Sequence, residues 1–347
     1  MIKLAVVGTG GMAHAHARSF QAIRGVKIVA ACDVIPEKVA AYAEQFGIPQ
    51  TFTDVEELLD TADVDAVTNV TPDAFHARVA LAVIKRGKHI LSEKPLATCY
   101  ADAKAMADAA RRKGVINMVN LSYRNSSAIH RAARLVRGGA IGRVMHLEAS
   151  YLQGWLGSMY WGDWKAGPGM LWRLSIGHGS KGVLGDLGVH ILDFATYPAG
   201  DIASVNCRLK TFHKAKGDRI GEYKLDANDS AVITVELEGG AIGTIHTTRW
   251  AVGQQNSLLL RIYGDKGAVI VDLDKSYGEL QICQGKDIHK AQWKTIKCAP
   301  TPNIYQRFIK SIKTGKNDQP DFARGAAIQK VMDACFESDK KGRAVKV

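Results

Sequence analysis

The sequence predicts an α/β fold in two domains: a doubly wound parallel sheet at residues 1–122, then an α+β domain at residues 123–347. Three observations support this. A glycine-rich turn directly follows an apolar run at the N-terminus, strands and helices alternate up to about residue 122, and most later segments are strands joined by glycine-rich turns. The length of 347 residues also suits two domains.

The first strand and loop carry a dinucleotide-binding fingerprint. The apolar run at residues 2–7 predicts a buried strand, and Gly8-x-Gly10-x-x-Ala13 fits the pattern G-x-G-x-x-G/A. The first glycine permits a tight turn, the second lets the backbone approach a pyrophosphate, and the small third residue lets the helix lie close to the strand. The N-terminus of that helix favours phosphate groups.

The second strand, residues 27–33, ends on Asp33, which lies 20 residues beyond Ala13. The fingerprint requires an acidic residue at about this distance to accept hydrogen bonds from the adenosine ribose. Its carboxylate would repel the 2′-phosphate of NADP, and Val34 and Ile35 supply no cation. The sequence therefore favours NAD and leaves NADP open. The alternative is that Asp33 caps the next helix.

Strands and helices continue to alternate through the first domain. Thr53-x-x-Glu56 is typical of a capping box that begins a short helix. The apolar segments 64–70, 89–93 and 115–120 predict further strands. Helices are expected between these strands, the last of them at residues 100–113.

Suggestive residues follow four of the predicted strands: Gly8, Asp33, Thr71 and Lys94. Thr71 is a candidate helix cap, with Pro72 at the first helical position. The carboxyl ends of parallel strands share one edge of a sheet, where ligands bind. We therefore expect these four residues to line one rim.

The second domain consists mostly of strands, with a tryptophan- and glycine-rich loop near its start. Short glycine turns between adjacent strands indicate antiparallel pairing. Predicted strands span residues 143–148, 202–212, 230–238, 241–250, 258–263 and 268–273, with shorter ones near 280 and 295, and predicted helices span 184–198, 303–314 and 322–340.

The composition is that of an ordinary globular protein, with 46% hydrophobic and 23% charged residues. No apolar run is long enough to span a membrane, and the N-terminus enters a strand too early for a signal peptide. The six cysteines are scattered without a C-x-x-C pair, which indicates neither a disulfide framework nor a zinc site. These features predict a cytoplasmic protein without a membrane partner or bound metal.

The net charge of +12 lies almost entirely after residue 122. No arginine-rich tract or basic patch with interleaved aromatic residues is present, so we expect no nucleic-acid partner. A solvated basic surface is the simpler explanation, and an anionic substrate is the alternative.

The predicted helix at residues 184–198 carries Asp186, His190 and Asp193 at positions i, i+4 and i+7, on one face. This stripe has three interpretations: a solvated surface, a metal site, or acid–base chemistry in which the carboxylates orient the imidazole. We favour acid–base chemistry.

Four motifs together resemble the glucose–fructose oxidoreductase / inositol dehydrogenase / rhizopine-catabolism (Gfo/Idh/MocA) family, over essentially the whole chain. No single motif is specific, but their order and separations are. The motifs are Gly8-Thr9-Gly10-Gly11-Met12, Thr71-Pro72-x-x-x-His76, Glu93-Lys94-Pro95 and Asp186-x-Gly188-x-His190-x-x-Asp193.

The resemblance implies a Rossmann domain, then a substrate-binding domain whose large open, mostly antiparallel sheet forms the contacts of a homo-oligomer, a dimer or tetramer. It implies NAD(P)-dependent oxidation or reduction of sugars, inositols and related polyols. By the same resemblance Lys94 is the catalytic lysine, His190 the proton acceptor, and Asp186 a ligand of substrate hydroxyls that assists His190. The predicted cofactor-binding residues are Gly8, Thr9, Gly10, Gly11, Met12, Asp33, Thr71, Pro72, His76, Glu93 and Lys94.

On the substrate side, the aromatic–arginine pairs Tyr123-Arg124 and Trp172-Arg173 are candidates for sugar contact, together with Asp193. Packing is the equally simple alternative for these pairs. The chain departs from the family at residues 179–182, where Gly-Ser-Lys-Gly replaces the usual glycine run and places a cation near the site.

Two other functions compete with a sugar or polyol dehydrogenase. One is a glycoside-cleaving enzyme that oxidises its substrate transiently with NAD, and the other is a non-catalytic NAD-binding regulator. The joint presence of Lys94, Asp186 and His190 argues against the regulator, because a sensor does not need all three.

Overall fold

The computed structural model describes residues 1–166 and 168–347. The backbone divides into two compact units, one formed by residues 1–122 and 302–329, the other by residues 123–301 and 330–347. We call them unit 1 and unit 2. The strands are β1 (Ile2–Val7), β2 (Val26–Cys32), β3 (Gln50–Phe52), β4 (Ala66–Asn69), β5 (His89–Ser92), β6 (Asn117–Val119), β7 (Val144–Leu152), β8 (Ile202–Lys210), β9 (Arg219–Ile220), β10 (Tyr223–Lys224), β11 (Ser230–Leu237), β12 (Ile242–Thr248), β13 (Ser257–Gly264), β14 (Gly267–Asp272), β15 (Glu279–Gln284), β16 (Lys294–Lys297) and β17 (Val345–Lys346). The α-helices are α1 (Gly11–Gln21), α2 (Pro36–Phe46), α3 (Val55–Thr61), α4 (His76–Lys85), α5 (Tyr100–Lys113), α6 (Ser127–Arg137), α7 (Pro168–Leu171), α8 (Val189–Ala199), α9 (Ile304–Thr314) and α10 (Phe322–Lys341).

Unit 1 contains a six-stranded parallel sheet in the order β3-β2-β1-β4-β5-β6. This is the doubly wound order of a dinucleotide-binding fold, so the predicted fold class of the first domain is confirmed. The order reverses between β1 and β4, and a ligand crevice is expected at that point. The three-residue strand β3 was not predicted from the sequence; it is short and mostly exposed.

Two predicted helix starts in unit 1 are wrong. The cap of α3 is Asp54 instead of Thr53, and its carboxylate accepts hydrogen bonds from the amides of Glu56 and Glu57 at 2.8 and 3.0 Å. Helix α4 begins at His76, after a short 3₁₀ turn. Thr71 does not cap that helix, because its hydroxyl donates to the side-chain oxygen of Asn69 at 2.8 Å.

Helix α9 packs within unit 1, which the predicted boundary at residue 122 did not foresee. Its residues Tyr305 and Phe308 contact Phe20 of α1, with ring centroids 5.2 and 6.3 Å apart. All three side chains belong to one buried core cluster. The chain returns to unit 1 because of this long-range packing. A single domain boundary at residue 122 assigns α9 to the second domain and so misses it.

Unit 2 contains a nine-stranded sheet in the order β16-β15-β14-β13-β7-β12-β11-β8-β17. Only the β7–β12 pair is parallel among these neighbours, so the predicted mostly antiparallel α+β domain is confirmed. Helices α6 and α8 pack against each other and against one face of the sheet. Along β11 buried and more exposed residues alternate, which identifies an inner and an outer face.

The segment that carries Asp186 and His190 is not a uniform α-helix. Residues Leu184–Gly188 form a π turn that continues into α8. A π turn adds about one residue per turn and is frequent at functional sites. It changes the angular offset between Asp186 and the later residues, so the single stripe expected from α-helical spacing is altered. No helix among the described residues has the length and apolar character needed to cross a bilayer.

Candidate active site and cofactor loop

The loop between β1 and α1 begins with a glycine that the protein's own packing requires. Gly8 has φ +87°, and a Cβ atom there would lie 2.6 Å from the carbonyl carbon of Val70 at the end of β4. Only glycine combines this backbone conformation with such a close approach.

The next two glycines of the loop are different. A Cβ atom at Gly10 or Gly11 would meet no protein atom within 4 Å. Both residues are exposed, as is Met12, and they lie at the N-terminus of α1, whose first turn holds no acidic residue. The backbone amides at this helix end face open space, and the helix dipole makes the end positive. Both properties suit the binding of a dinucleotide pyrophosphate.

We expect Gly8→Ala and Gly10→Ala to separate these two roles. Gly8→Ala should lower the free energy of unfolding by about 2–4 kcal/mol, because it adds backbone strain and a steric clash. Gly10→Ala should leave stability nearly unchanged and weaken NADH binding. Thermal melts and NADH fluorescence titrations measure both. An equal loss of stability in the two variants would contradict the assignment of Gly10 to ligand approach.

Asp33 joins the loops that follow β1 and β2. One carboxylate oxygen accepts hydrogen bonds from both the amide and the hydroxyl of Thr9, each at 2.8 Å. The other accepts the amide of Ile35 at 3.1 Å. Ile35 is the residue that precedes the first turn of α2, so the alternative role of Asp33 as helix cap is wrong. Its predicted contact with the adenosine ribose stays a prediction.

A buried polar network lies beneath the carboxyl ends of β4 and β5. The His16 ring is fully buried, and its nitrogens lie 2.7 Å from the Thr68 hydroxyl and 2.8 Å from Glu93. The amide of Asn120 donates to the same Glu93 oxygen at 2.5 Å. Tyr305 extends the network from α9, 3.2 Å from Asn120.

Glu93 is held ionised inside this network. Burial raises the pKa of its carboxyl group, but His16, Lys94 and Asn120 outweigh that effect and lower the pKa to about 2. The second carboxylate oxygen accepts the amide of Lys94 at 3.1 Å. The carboxylate thus faces the interior and fixes the Lys94 backbone, and the predicted contact of Glu93 with the cofactor stays a prediction.

His76 has a similar bracing function. Its ring is fully buried, with Nδ1 2.7 Å from the carbonyl oxygen of Pro95 and Nε2 2.8 Å from that of Thr71. Both ring nitrogens are thus engaged by the backbone, and the predicted cofactor contact of His76 stays a prediction. His76 connects the loops after β4 and β5, where Thr71, Pro72 and Lys94 lie.

In unit 2, His190 packs against two tyrosines. Only 8% of the residue is exposed, and its ring centroid lies 5.0 Å from that of Tyr123 and 6.3 Å from that of Tyr151, both edge to face. The two phenol oxygens are 2.7 Å apart, and Asn256 donates to Tyr123 at 2.7 Å and accepts from Tyr151 at 2.5 Å. Burial raises the pKa of Tyr123 to about 12, so the phenol stays neutral.

Asp186 is paired with two arginines. Nη2 of Arg249 donates to its carboxylate at 3.0 Å, and Nε of Arg173 lies 3.8 Å away. The Arg249 side chain is fully buried, whereas 29% of the Asp186 side chain is exposed. Burial lowers the pKa of the Arg249 guanidinium and the charge of Asp186 opposes that effect, so the group stays charged.

Arg124 and Asp193 are bound to each other instead of facing a substrate. Two guanidinium nitrogens donate to the two Asp193 oxygens at 2.6 and 2.7 Å, and both side chains are almost completely buried. The guanidinium also lies over the Tyr197 ring at 3.4 Å. Removing one partner of such a pair typically costs about 3–5 kcal/mol of stability. Their predicted substrate role is therefore not favoured.

The residues of the predicted stripe each have a partner. Arg249 binds Asp186, two tyrosines pack on His190, and Arg124 binds Asp193. Across the described residues, no group of three or more histidine, cysteine or acidic side chains could hold a metal.

The Trp172-Arg173 pair lies in a 3₁₀ turn, where Trp172 is 37% exposed and the guanidinium lies 4.6 Å from its ring centroid. In the Gly-Ser-Lys-Gly segment before Asp186, Gly182 has a local cause: a Cβ atom there would lie 2.4 Å from the side chain of Asn228. Lys181 is exposed.

Arg249 and Asn256 are the main site residues that the sequence analysis missed. A signal for Arg249 existed. In β12 the inward positions alternate, and Ile245 and Thr247 are both buried. Arg249 continues that alternation as a charged residue at an inward position, which requires a buried partner. Asn256 has no comparable signal, because it lies in a loop.

Comparison with known proteins gives one consistent family. Residues 2–121 match the Gfo/Idh/MocA model described as an oxidoreductase family with an NAD-binding Rossmann fold, and residues 129–270 match the Gfo/Idh/MocA C-terminal domain. Levoglucosan dehydrogenase of Pseudarthrobacter phenanthrenivorans is 28% identical over 98% of this chain and 96% of that protein. A 1,5-anhydro-D-fructose reductase of Ensifer adhaerens is 33% identical over 74% and 75% of the two chains. A solved levoglucosan dehydrogenase in complex with NADH and levoglucosan superposes with a TM-score of 0.87 at 27% identity, over 100% and 99% of the chains.

Proposed function

The chain belongs to the Gfo/Idh/MocA oxidoreductase family, and on that premise we propose that it is an NAD-dependent dehydrogenase of a sugar or polyol. The reaction is oxidation of a secondary hydroxyl group to a ketone, or its reverse. The observation that carries the proposal is the environment of His190, a nearly buried imidazole that packs against Tyr123 and follows Asp186 by one turn.

Unit 1 supplies the cofactor site in this proposal. The amides of Gly10, Gly11 and Met12 at the start of α1 hold the pyrophosphate, and Asp33 accepts the ribose hydroxyls. NAD is favoured over NADP because a 2′-phosphate would lie against the Asp33 carboxylate. When bound, the nicotinamide supplies the hydride acceptor. The surrounding polar network fits this role, since it fixes the backbone of Lys94 at the end of β5.

Lys94 and His190 divide the acid–base chemistry. His190 accepts the proton of the reacting hydroxyl, and the ammonium group of Lys94 stabilises the negative charge that develops on that oxygen. Asp186 binds a neighbouring substrate hydroxyl and assists His190. The exposed indole of Trp172 offers an apolar surface for the C–H face of a sugar ring.

A cyclic neutral sugar is our first choice of substrate, because the chain resembles levoglucosan dehydrogenase over nearly its whole length. The excess of positive charge after residue 122 keeps anionic sugars as the comparison class. All six cysteines are free, which suits our proposal of a cytoplasmic enzyme.

A substrate screen tests the proposed function. Levoglucosan, free sugars, inositols and uronates are incubated with NAD or NADP while the absorbance of the reduced nicotinamide is followed. We expect NADH to accumulate with a cyclic sugar or inositol and NADP to be a poorer cofactor. Cleavage of a glycoside without net NADH would favour the transient-oxidation enzyme. Tight NADH binding without either signal would favour the regulator.

The outer face of the unit 2 sheet is our proposed homo-oligomer contact. It presents the apolar side chains of Val232 and Ile242, which are 55% and 60% exposed, among polar neighbours. The register pairs Val232 with His246 and Ile242 with Glu236, so all four side chains share that face. An exposed apolar surface on a regular sheet suits association with a second copy.

We expect Ile242→Glu to shift the protein towards monomers, because it buries a charge in the contact. Light scattering after size-exclusion chromatography measures the mass. Ile288→Glu is the matched control, since Ile288 is also exposed, at 40%, but lies in the 3₁₀ segment between β15 and the edge strand β16, several strands from β11 and β12. An unchanged mass for Ile242→Glu, or the same shift in both variants, would contradict the proposed contact.

A further inference from the structure

We propose that Arg249 is a positioning residue for the reaction: it fixes Asp186 and offsets its charge beside His190, and so sets the proton affinity of the acceptor. The proposal rests on the proposed function only in assigning His190 as the proton acceptor. It concerns a residue that lies in no motif of the sequence and touches no reacting atom.

The guanidinium group of Arg249 bridges two turns of the site. Arg249 follows β12 with a fully buried side chain, and one terminal nitrogen donates to Asp186 at 3.0 Å. The other donates to the carbonyl oxygen of Arg173 at 2.9 Å. The guanidinium therefore joins the π turn that carries Asp186 to the 3₁₀ turn that carries Trp172. Because it is a planar group with two fixed donors, it sets the separation between these two turns.

The buried charges near Arg249 are balanced in pairs. Asp229 also neighbours Arg249, since its backbone carbonyl accepts the Arg249 amide at 2.9 Å, but its carboxylate accepts from Lys214 at 2.8 Å, with both side chains fully buried. Asp229 and Lys214 neutralise each other. Asp186 is thus the acid that Arg249 bonds to directly, and Arg173 reinforces the pair from the exposed side at 3.8 Å. A buried cation of this kind requires such a partner.

Asp186 precedes His190 by four residues, in the π turn that continues into α8. Two phenol rings, those of Tyr123 and Tyr151, pack against the imidazole. Burial raises the pKa of both phenols, and the charge of Asp186 adds to that effect. An uncompensated carboxylate there would stabilise the imidazolium form, and Arg249 reduces that effect.

The helix α8 packs on β7, β12, β13 and α6. On the three strands Tyr151 is the titratable residue at a buried inward position, whereas Glu148 pairs with Arg261 at 3.0 Å and His146, His246 and Tyr263 take the alternate positions. On α6, His130 contacts Tyr197, Arg137 lies over the same ring, and Arg131 and Arg134 are partly or fully exposed. Near the ring and the π turn lie Tyr123, the Arg124–Asp193 pair, Arg173 beside Asp186, and the exposed Lys181.

A histidine titration tests the proposal without any substrate. The pKa of His190 is followed by NMR in histidine-labelled full-length protein, with its signal assigned from a His190→Gln sample. We expect Arg249→Met and Arg249→Gln to raise that pKa by about one unit, because each removes a nearby positive charge and frees the charge of Asp186. Arg249→Lys keeps the charge and should shift the pKa much less.

Two comparisons keep the result decisive. Arg249→Gln retains hydrogen-bond donors and serves if Arg249→Met does not fold. Arg307→Met removes another buried arginine, paired with Asp318 at 2.8 Å in unit 1, and should lower the melting temperature without moving the His190 pKa. An unchanged pKa in both neutral Arg249 variants, or an equal shift in Arg249→Lys, overturns the proposal. A failed substrate screen with the expected pKa shift would instead overturn only the proposed function.

Discussion

Lys94→Ala is expected to lower kcat by about 10²–10³-fold, the usual effect of removing a donor that stabilises a developing oxyanion. Lys94 lies two residues after the buried strand β5, where its backbone amide donates to the ionised Glu93. That bond fixes the residue at the rim of the sheet. Steady-state kinetics on the most active sugar of the screen measures the loss, and NADH fluorescence measures cofactor binding.

Cofactor affinity should change little in Lys94→Ala, because the pyrophosphate site is formed by the loop after β1. Lys85→Ala is the matched control: it removes an exposed lysine from the last turn of α4 and should retain full turnover. Wild-type turnover by Lys94→Ala would contradict the catalytic role. A parallel loss of turnover and NADH affinity would instead indicate that Lys94 mainly binds the cofactor.

The fold could be predicted from local signals, whereas the partners of the site residues could not. Strand–turn–helix alternation and the glycine fingerprint are properties of short segments, and both correctly gave a doubly wound parallel sheet. The position of α9 in unit 1 depends instead on Phe20, Tyr305 and Phe308, which are far apart in the chain. Such contacts leave no local pattern.

The same distinction applies to the site residues. Spacing placed Asp186, His190 and Asp193 on one face of an α-helix, whereas Asp186 lies in a π turn and both carboxylates bind buried arginines, Arg249 and Arg124. Motifs also do not distinguish a residue that contacts a ligand from one that supports the loop beneath it. His76 and Glu93 belong to motifs near the rim, yet their side chains are directed into buried hydrogen bonds.

Replacing His190 by glutamine is the second large expected effect, a decrease in kcat of about 10²–10⁴-fold through loss of the proton acceptor. Glutamine keeps a polar side chain of similar size but cannot take up the proton. In the wild type, kcat/KM for oxidation should fall as the pH falls through the pKa of His190, because the imidazolium form cannot accept a proton. In His190→Gln this acidic limb should disappear.

His130→Gln provides a matched comparison for this pH profile. His130 is also a nearly buried histidine of unit 2, with its ring edge on Tyr197 at a centroid distance of 5.5 Å, and it lies on α6. The substitution removes its contacts to Tyr197 and to the carbonyl oxygen of Arg124, so it should lower thermal stability. The acidic limb should nevertheless remain. If the acidic limb persisted in His190→Gln, the proton acceptor would have to be another group. That group would not be Tyr123, because burial raises its pKa to about 12, far above the pH range of the limb.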